Sequence, residues 1–294
     1  MSVAIMTDTN SGLSVAQGKE LGIYVLPMPV IIQDVSHFEG VDITTAQLFD
    51  AMRKNLNFSS SQPSPGSVME LWDNILEDGY DELVYIPMSS GLSGSCHAAI
   101  QLALDYDSKV EVVDNHRISV PLVDSLLDAK FLADQGLRAK EIKERLEANA
   151  FESSIYITVN TLEYLKKSGR VTPAAAAIAT MINLKPILTI QGGKLDSYAK
   201  VRGIHQSEKR MIEAAKNDIA TRFANIPAKN LSIGTAGTFE KEEDAARWYH
   251  MVKETFPEYA VHYIPLSCSI ASHVGPNALG ISISVTLADS LKEQ

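Results

Sequence analysis

Cysteine is scarce in this chain of 294 residues, with only Cys96 and Cys268, far apart in sequence. No metal-ligand spacing involves either one, and the expectation is two free thiols rather than a disulfide. No apolar run approaches the roughly 20 residues that a membrane helix requires. The opening segment Met1-Ser2-Val3-Ala4-Ile5-Met6-Thr7-Asp8 has no basic stretch ahead of its apolar residues. It therefore does not read as a secretion signal, and a cytoplasmic location is expected. Positive charge is in deficit: 26 Lys and Arg stand against 36 Asp and Glu, for a net charge of −10. That balance argues against nucleic acid as a general partner. It also makes any local cluster of cations stand out. The seven histidines show no ligand spacing, and no metal site is expected. There is no internal repeat, low-complexity tract or long linker.

What remains is a globular composition, 45% hydrophobic and 21% charged, sufficient for one large or two ordinary domains. The first half alternates short apolar runs with helical patterns, which predicts a mostly parallel sheet covered by helices on both faces. Strands are expected at Val3–Thr7, within Ile23–Ile32, at Glu82–Pro87 and at Lys109–Val113. Helices are expected at Thr44–Lys54, Val68–Glu77, Cys96–Asp105, Ser119–Gln135 and Ala139–Asn149. The second half mixes helices with a hairpin signal, Gln191-Gly192-Gly193, between Lys185–Ile190 and Lys194–Val201. Thr172-Pro173 supplies a cap and a first-turn proline for an Ala-rich helix running to about Ile182. Later elements are Ser207–Ala224, Leu231–Thr235, Lys241–Phe256, Ala260–Pro265 and Gly280–Thr286. The pattern gives an N-terminal α/β domain over 1–154 and a C-terminal α+β domain over 155–294.

Five segments carry polar chemistry. Ser59-Ser60-Ser61-Gln62-Pro63-Ser64-Pro65-Gly66 reads as a stiff polar loop whose hydroxyls and amides can donate to an anion. It reads equally as a solvated turn before a helix capped by Ser64 or Ser67. Ser89-Ser90-Gly91-Leu92-Ser93-Gly94-Ser95 follows an apolar strand and precedes a helix, the place where open α/β sheets bind ligands and helix amides meet anions. No Gly-Lys-Ser/Thr follows its glycines, which excludes a Walker loop. Serine stands where a nucleophile elbow needs its second glycine. Leu162 to Arg170 places Lys166, Lys167 and Arg170 within five residues, with Gly169 as the helix-ending glycine. Lysines in a last turn also simply complement the helix dipole. Arg202 follows the hairpin. His273-Val274-Gly275-Pro276-Asn277 places a histidine in a Gly/Pro loop, where it can donate to a carboxylate or act as a base.

Taken in order and spacing, Thr7-Asp8-Thr9, Ser60-Ser61-Gln62-Pro63, Ser89 to Gly94, Leu162 to Arg170, Leu184-Lys185-Pro186 and His273-Val274-Gly275-Pro276 resemble the DegV family over essentially the whole chain. The family includes the fatty-acid-binding subunits of bacterial fatty acid kinase. The resemblance implies a two-domain α/β protein with a lipid tunnel between or alongside the domains, and no cofactor beyond a bound fatty acid such as palmitate or oleate. It implies a carboxylate held at Ser60, Ser61, Ser93 and Gly94, with His273 nearby. It further implies a carrier that performs no catalysis itself. A separate kinase subunit would phosphorylate the lipid with ATP, supplying acyl phosphate to phospholipid metabolism, with transient membrane contact for lipid exchange. Arg170 and Arg202, with Lys166 and Lys167, would face the kinase or the phosphate. Three positions depart from the family pattern: Ser60 stands for threonine, Asn277 for glycine, and Asp114-Asn115-His116-Arg117 for a more serine-rich segment.

The competing reading is a serine hydrolase or acyltransferase, with Ser93 as nucleophile, His273 as base and Asp8 or Asp114 as the orienting acid. The missing second glycine argues against it. In a lipid carrier, chain burial should dominate affinity: sixteen carbons at about 0.8 kcal/mol per methylene offer on the order of 12 kcal/mol before ordering costs. The run Ala174 to Ala179, followed by Met181 and Ile182, could provide a low-relief surface for that chain, or a tight helix contact.

Overall fold

The computed structural model describes residues 2–177 and 184–287. Its strands are β1 (Val3–Asp8), β2 (Tyr24–Leu26), β3 (Pro29–Ile32), β4 (Val35–Phe38), β5 (Phe58–Ser60), β6 (Glu82–Ile86), β7 (Val110–Val112), β8 (Ser153–Thr158), β9 (Leu184–Ile190), β10 (Asp196–Arg202), β11 (Leu231–Gly237), β12 (Ala260–Pro265) and β13 (Leu279–Val285). Its α-helices are α1 (Val15–Leu21), α2 (Thr45–Arg53), α3 (Pro65–Glu77), α4 (Ser95–Ala103), α5 (Val120–Asp134), α6 (Ala139–Ala148), α7 (Glu163–Ser168), α8 (Pro173–Ala176), α9 (Ile204–Ala220), α10 (Glu242–Thr255) and α11 (Cys268–Val274).

The first sheet, β2-β1-β6-β7, is parallel throughout. Strand β6 is buried along its whole length, as a parallel strand covered on both faces must be. The second sheet, β10-β9-β8-β13-β11-β12, is antiparallel except for the β11–β12 pair. The expected α/β fold with a parallel sheet and a second mixed sheet is therefore what forms. A third sheet, β4-β3-β5, is small and antiparallel. It escapes the sequence reading because β4 and β5 are short and largely polar, offering too few residues for an alternating pattern.

Helix boundaries follow their caps. Thr44 accepts from the Gln47 amide and Gln47 reciprocates, fixing the start of α2. Ser64 accepts from the Ser67 amide ahead of α3, and Gly169 ends α7 with φ 70°. Thr172 caps α8 with Pro173 in its first turn, and Ile178 to Ile182 of the expected Ala-rich helix lie outside the described residues.

Helix α5 joins the two large sheets. It packs on β1 and β6 from one side and on β11, β12 and β13 from the other. Val120 to Leu126 are all buried, as in a helix hydrophobic all round, and the helix reaches solvent only towards its end, at Lys130 and Asp134. The C-terminal α11 reaches back to α2, β3 and β5. The residues from β8 onward thus form their own sheet while two helices bind the halves together.

Candidate functional site

Where these layers meet, a cavity of about 330 Å³ opens between the second sheet, α5, α7 and α11, within the range of small-ligand sites. Ile155 and Ile157 of β8, Ile190 of β9, Gly234 and Ala236 of β11 and Ile281 of β13 are among its apolar lining. The small strand residues matter most. A Cβ on Gly234 would stand 2.5 Å from Val120 Cβ, so the glycine lets α5 close against the sheet while space remains beside it. These strands give the cavity a low-relief wall, and of the Ala-rich run only Ala174 to Ala177 lie among the described residues. None of Ala174 to Ala177 lines the cavity, and Ala175 is packed into the apolar cluster beside it.

The polar residues predicted from sequence gather at one region of this cavity. Ser60, Ser61, Ser93, Gly94, Arg170 and His273 all line it. Ser60 ends strand β5 rather than sitting in a loop, because Val30 of β3 pairs with it. His273 likewise stands in the last turn of α11, a helix missed in the sequence because Ala271 is the single strong helix former in its Cys268-Ser269-Ile270-Ala271-Ser272 run. Ser267 supplies the missed signal, capping the helix through the Ile270 amide. The two elements bring Ser60 Oγ within 2.7 Å of His273 Nε2. Burial, aided by the positive charge of Arg170, lowers the His273 pKa to about 4.

Ser93 Oγ accepts from the Ser95 amide at 3.2 Å, a local turn at the start of α4. The two serine segments meet where Gln62 Oε1 lies 3.3 Å from the position a Cβ on Gly94 would take. Gly91 does not serve ligand approach: a Cβ there would lie 2.3 Å from the Gly192 carbonyl. The glycine lets the β9–β10 hairpin close over the serine loop, with Ser89 Oγ donating to that same carbonyl. Arg170 donates through Nε to the Leu92 carbonyl at 3.3 Å, bracing the loop from the other side. It also lines an adjoining outer depression with Ser90, Ser93, Ser168 and Lys194.

The cations are not all in one place. Lys166 and Lys167 are exposed on α7, and Lys167 Nζ sits 5.7 Å above the Phe58 ring. Arg202 is exposed at the last position of β10. Arg170 accepts through its carbonyl from Leu195, just before the first residue of that strand. Seven residues of extended chain put the two arginines roughly 20 Å apart.

The Ser93–His273 pair required by a hydrolase is not what forms. His273 Nε2 is engaged by Ser60, and Nδ1 has no partner among the described residues. Asp8 accepts from the Asn10 and Met88 amides, and Asp114 from the Ser90 amide. Among the described residues no carboxylate orients the ring. Hydroxyls, an imidazole and a guanidinium around an apolar chamber instead suit an anionic head group with an apolar body. Asn277, expected to tolerate left-handed backbone, has φ 59°. Both cysteines are buried and free.

The arrangement defines a class, an α/β protein enclosing an apolar cavity with a polar, cationic rim. The chain belongs to the DegV family: the family model described as "Uncharacterised protein, DegV family" matches residues 2–286. A DegV domain-containing protein of Streptomyces coelicolor is 29% identical over 283 residues, covering 96% of this chain and 98% of that protein. One from Deinococcus radiodurans is 28% identical over 285 residues, covering 96% and 98%. Among solved structures, a DegV family protein from Thermus thermophilus described for its fatty acid binding is 26% identical, with a TM-score of 0.86 over 97% of this chain and all of that one. DegV of Bacillus subtilis, described as a fatty acid binding protein, shares the fold at 22% identity with a TM-score of 0.83, covering 97% of this chain and 100% of that one.

The His273 environment makes a prediction about acid. In the folded chain the ring stays neutral to about pH 4, whereas an unfolded chain protonates it near 6.5. Below 6.5 the unfolded state therefore binds the proton first. Stability is expected to fall as pH drops from 6.5 towards 4 and to level off below that. A histidine NMR titration should show His273 largely neutral above pH 5, with a midpoint near 4. A midpoint near 6.5 would mean the ring is solvated.

Proposed function

We propose that this protein binds a long-chain fatty acid, with the acyl chain in the cavity and the carboxylate at Ser60, Ser61, Ser93, Gly94 and His273. The observation that carries the reading is the join of an apolar chamber to a rim of hydroxyls, imidazole and Arg170. The fatty acid binding of the Thermus thermophilus relative supports it. Tail burial dominates the affinity, while each charge-assisted bond at the rim adds about 1.5–3 kcal/mol and rejects neutral lipids. Denaturing extraction of the purified protein is expected to release about one fatty acid per chain, of palmitate-to-oleate size. Empty extracts together with no uptake of added fatty acid would refute the reading.

The proposal extends to a carrier role. The protein presents the carboxylate to a separate ATP-dependent fatty acid kinase in the cytoplasm, exchanging lipid through brief membrane contact, and performs no catalysis of its own. Arg170, Lys166 and Lys167 then meet the phosphate or the kinase, and Arg202 docks the kinase. The separation of the two arginines divides the expected outcomes. Arg202→Ala should lower acyl phosphate formation with kinase and ATP while leaving fatty acid affinity intact, since an exposed strand-end cation contributes little to stability. Arg170→Ala should lower both, because its guanidinium braces the serine loop at the cavity. Full phosphorylation of bound lipid in the Arg202 variant would remove that residue from the kinase contact.

A further inference from the structure

Within the cavity, away from the Ser60–His273 pair, a second polar group remains unexplained. Asn10 is fully buried, Ser119 is 7% exposed, and both line the cavity. The Asn10 backbone is satisfied: its amide donates to Asp8 Oδ1 at 2.8 Å and its carbonyl accepts from the Ser119 amide at 3.0 Å. Its side-chain oxygen lies 3.4 Å from Ser267 Oγ. That leaves Asn10 Nδ2 and Ser119 Oγ, neither of which has a hydrogen-bond partner among the described residues. Ser269 lines the cavity close by on α11, on the face that also carries Ile270, His273 and Val274.

A buried donor left unsatisfied is costly, and a purely hydrocarbon tail would leave this one so. The backbone adds a second oddity. Ser119 is held at φ 55°, a conformation a serine rarely adopts, and it begins the helix that walls the cavity. The head-group site accounts for neither residue: Asn10 is tied to Ser267 at the first turn of α11, whereas His273 is at its last. Six helical residues separate them by roughly 9 Å, a distance that falls within the first half of an extended eighteen-carbon chain.

We propose that the cavity is built for a fatty acid carrying an oxygen within its acyl chain, a hydroxyl or keto group, which Asn10 Nδ2 and Ser119 Oγ would hold. The inference rests on the fatty acid reading and narrows it to an oxygenated substrate class. One net hydrogen bond to the in-chain oxygen is worth about a two- to tenfold gain in affinity.

The test uses the full chain freed of lipid and compares stearic acid with hydroxystearic acids bearing the hydroxyl in the first, middle or last third of the chain. The expected result is that one of the first two binds about two- to tenfold more tightly than stearic acid, and the last-third isomer less tightly. Asn10→Leu should abolish the preference while stearic acid still binds, and Ser119→Ala, which removes a single oxygen, should reduce it. Equal or tighter binding of stearic acid by the parent protein would overturn the inference alone, with ordered water then the partner of Asn10. A preference unchanged in both variants would also overturn it. Binding of none of the acids would overturn the fatty acid reading together with it.

Discussion

Ala236→Phe is expected to cut the affinity for a long-chain fatty acid by about a hundredfold while the protein stays folded. Ala236 sits on β11, opposite Gly280 of β13 and Ile264 of β12, with its methyl on the cavity wall. A phenyl ring there occupies space the acyl chain needs. Displacing about four methylenes forfeits roughly 3 kcal/mol at about 0.8 kcal/mol each, and 1.4 kcal/mol is about a tenfold change in Kd. The ring has room because it enters a cavity, so the overpacking that usually costs about 1–3 kcal/mol in a filled core should be largely avoided. A graded series makes the argument sharper: Val, Leu and Phe at this position should lower affinity in that order, read by titration with palmitate, with circular dichroism confirming the fold. Undiminished affinity in the Phe variant would place the acyl chain elsewhere in the molecule.

Much of this site is legible in the sequence, and the part that is not has a common cause. Ser60, Ser93, Arg170 and His273 stand in short polar segments flanked by glycine and proline, and the structure gathers all four at the cavity. The elements carrying two of them were misread. Ser60 lies on a three-residue strand and His273 on a seven-residue helix, each too short to show periodicity and each stabilised by a distant partner, Val30 and the α2–β3–β5 surface. The lining was hidden for a different reason. Gly234-x-Ala236 and Gly280-x-Ser282 place small residues at alternate positions on neighbouring strands, a pattern visible only once the register pairs Ala236 with Gly280 and Gly234 with Ser282. Asn10 and Ser119 gave no signal, since a turn asparagine and a helix-leading serine occur everywhere. Arg202 shows the converse. Like Arg170 it stands beside a glycine, yet the length of β10 carries it to the far end of that strand.

The segment Asp114 to Arg117, which departs from the family pattern, holds the joint of the molecule, and Arg117→Met is expected to lower unfolding free energy by about 3–5 kcal/mol. Arg117 is 1% exposed. Its guanidinium donates to the Asn149 carbonyl at 2.7 Å, to Ser125 Oγ of α5 at 3.2 Å, and to the carbonyls of Ala150 and Glu152 at 3.4 Å. It therefore ties the helix between the sheets to the end of α6 and to the turn entering β8. Its own carbonyl accepts from Ser89, setting the start of the serine loop. Burial pulls the Arg117 pKa down, opposed by the nearby charges of Asp124 and Asp128. Burial likewise pushes the Asp124 carboxyl up, opposed by His262 and Arg117. Methionine fills similar space but abandons those carbonyls and removes a positive charge from beside Asp124, which is 2% exposed. Lysine keeps the charge, but its single ammonium cannot span acceptors arranged for a planar fork, so Arg117→Lys should fall between the parent and the methionine variant. Against a typical stability of about 5–15 kcal/mol, the methionine loss should appear in urea denaturation as a much lower midpoint. A loss below about 1 kcal/mol would show that the buried guanidinium is replaceable and that α5 is held by apolar packing alone. Because Arg117 also anchors Ser89, the lysine variant should bind fatty acid more weakly than its modest instability explains, which links the joint between the sheets to the mouth of the cavity.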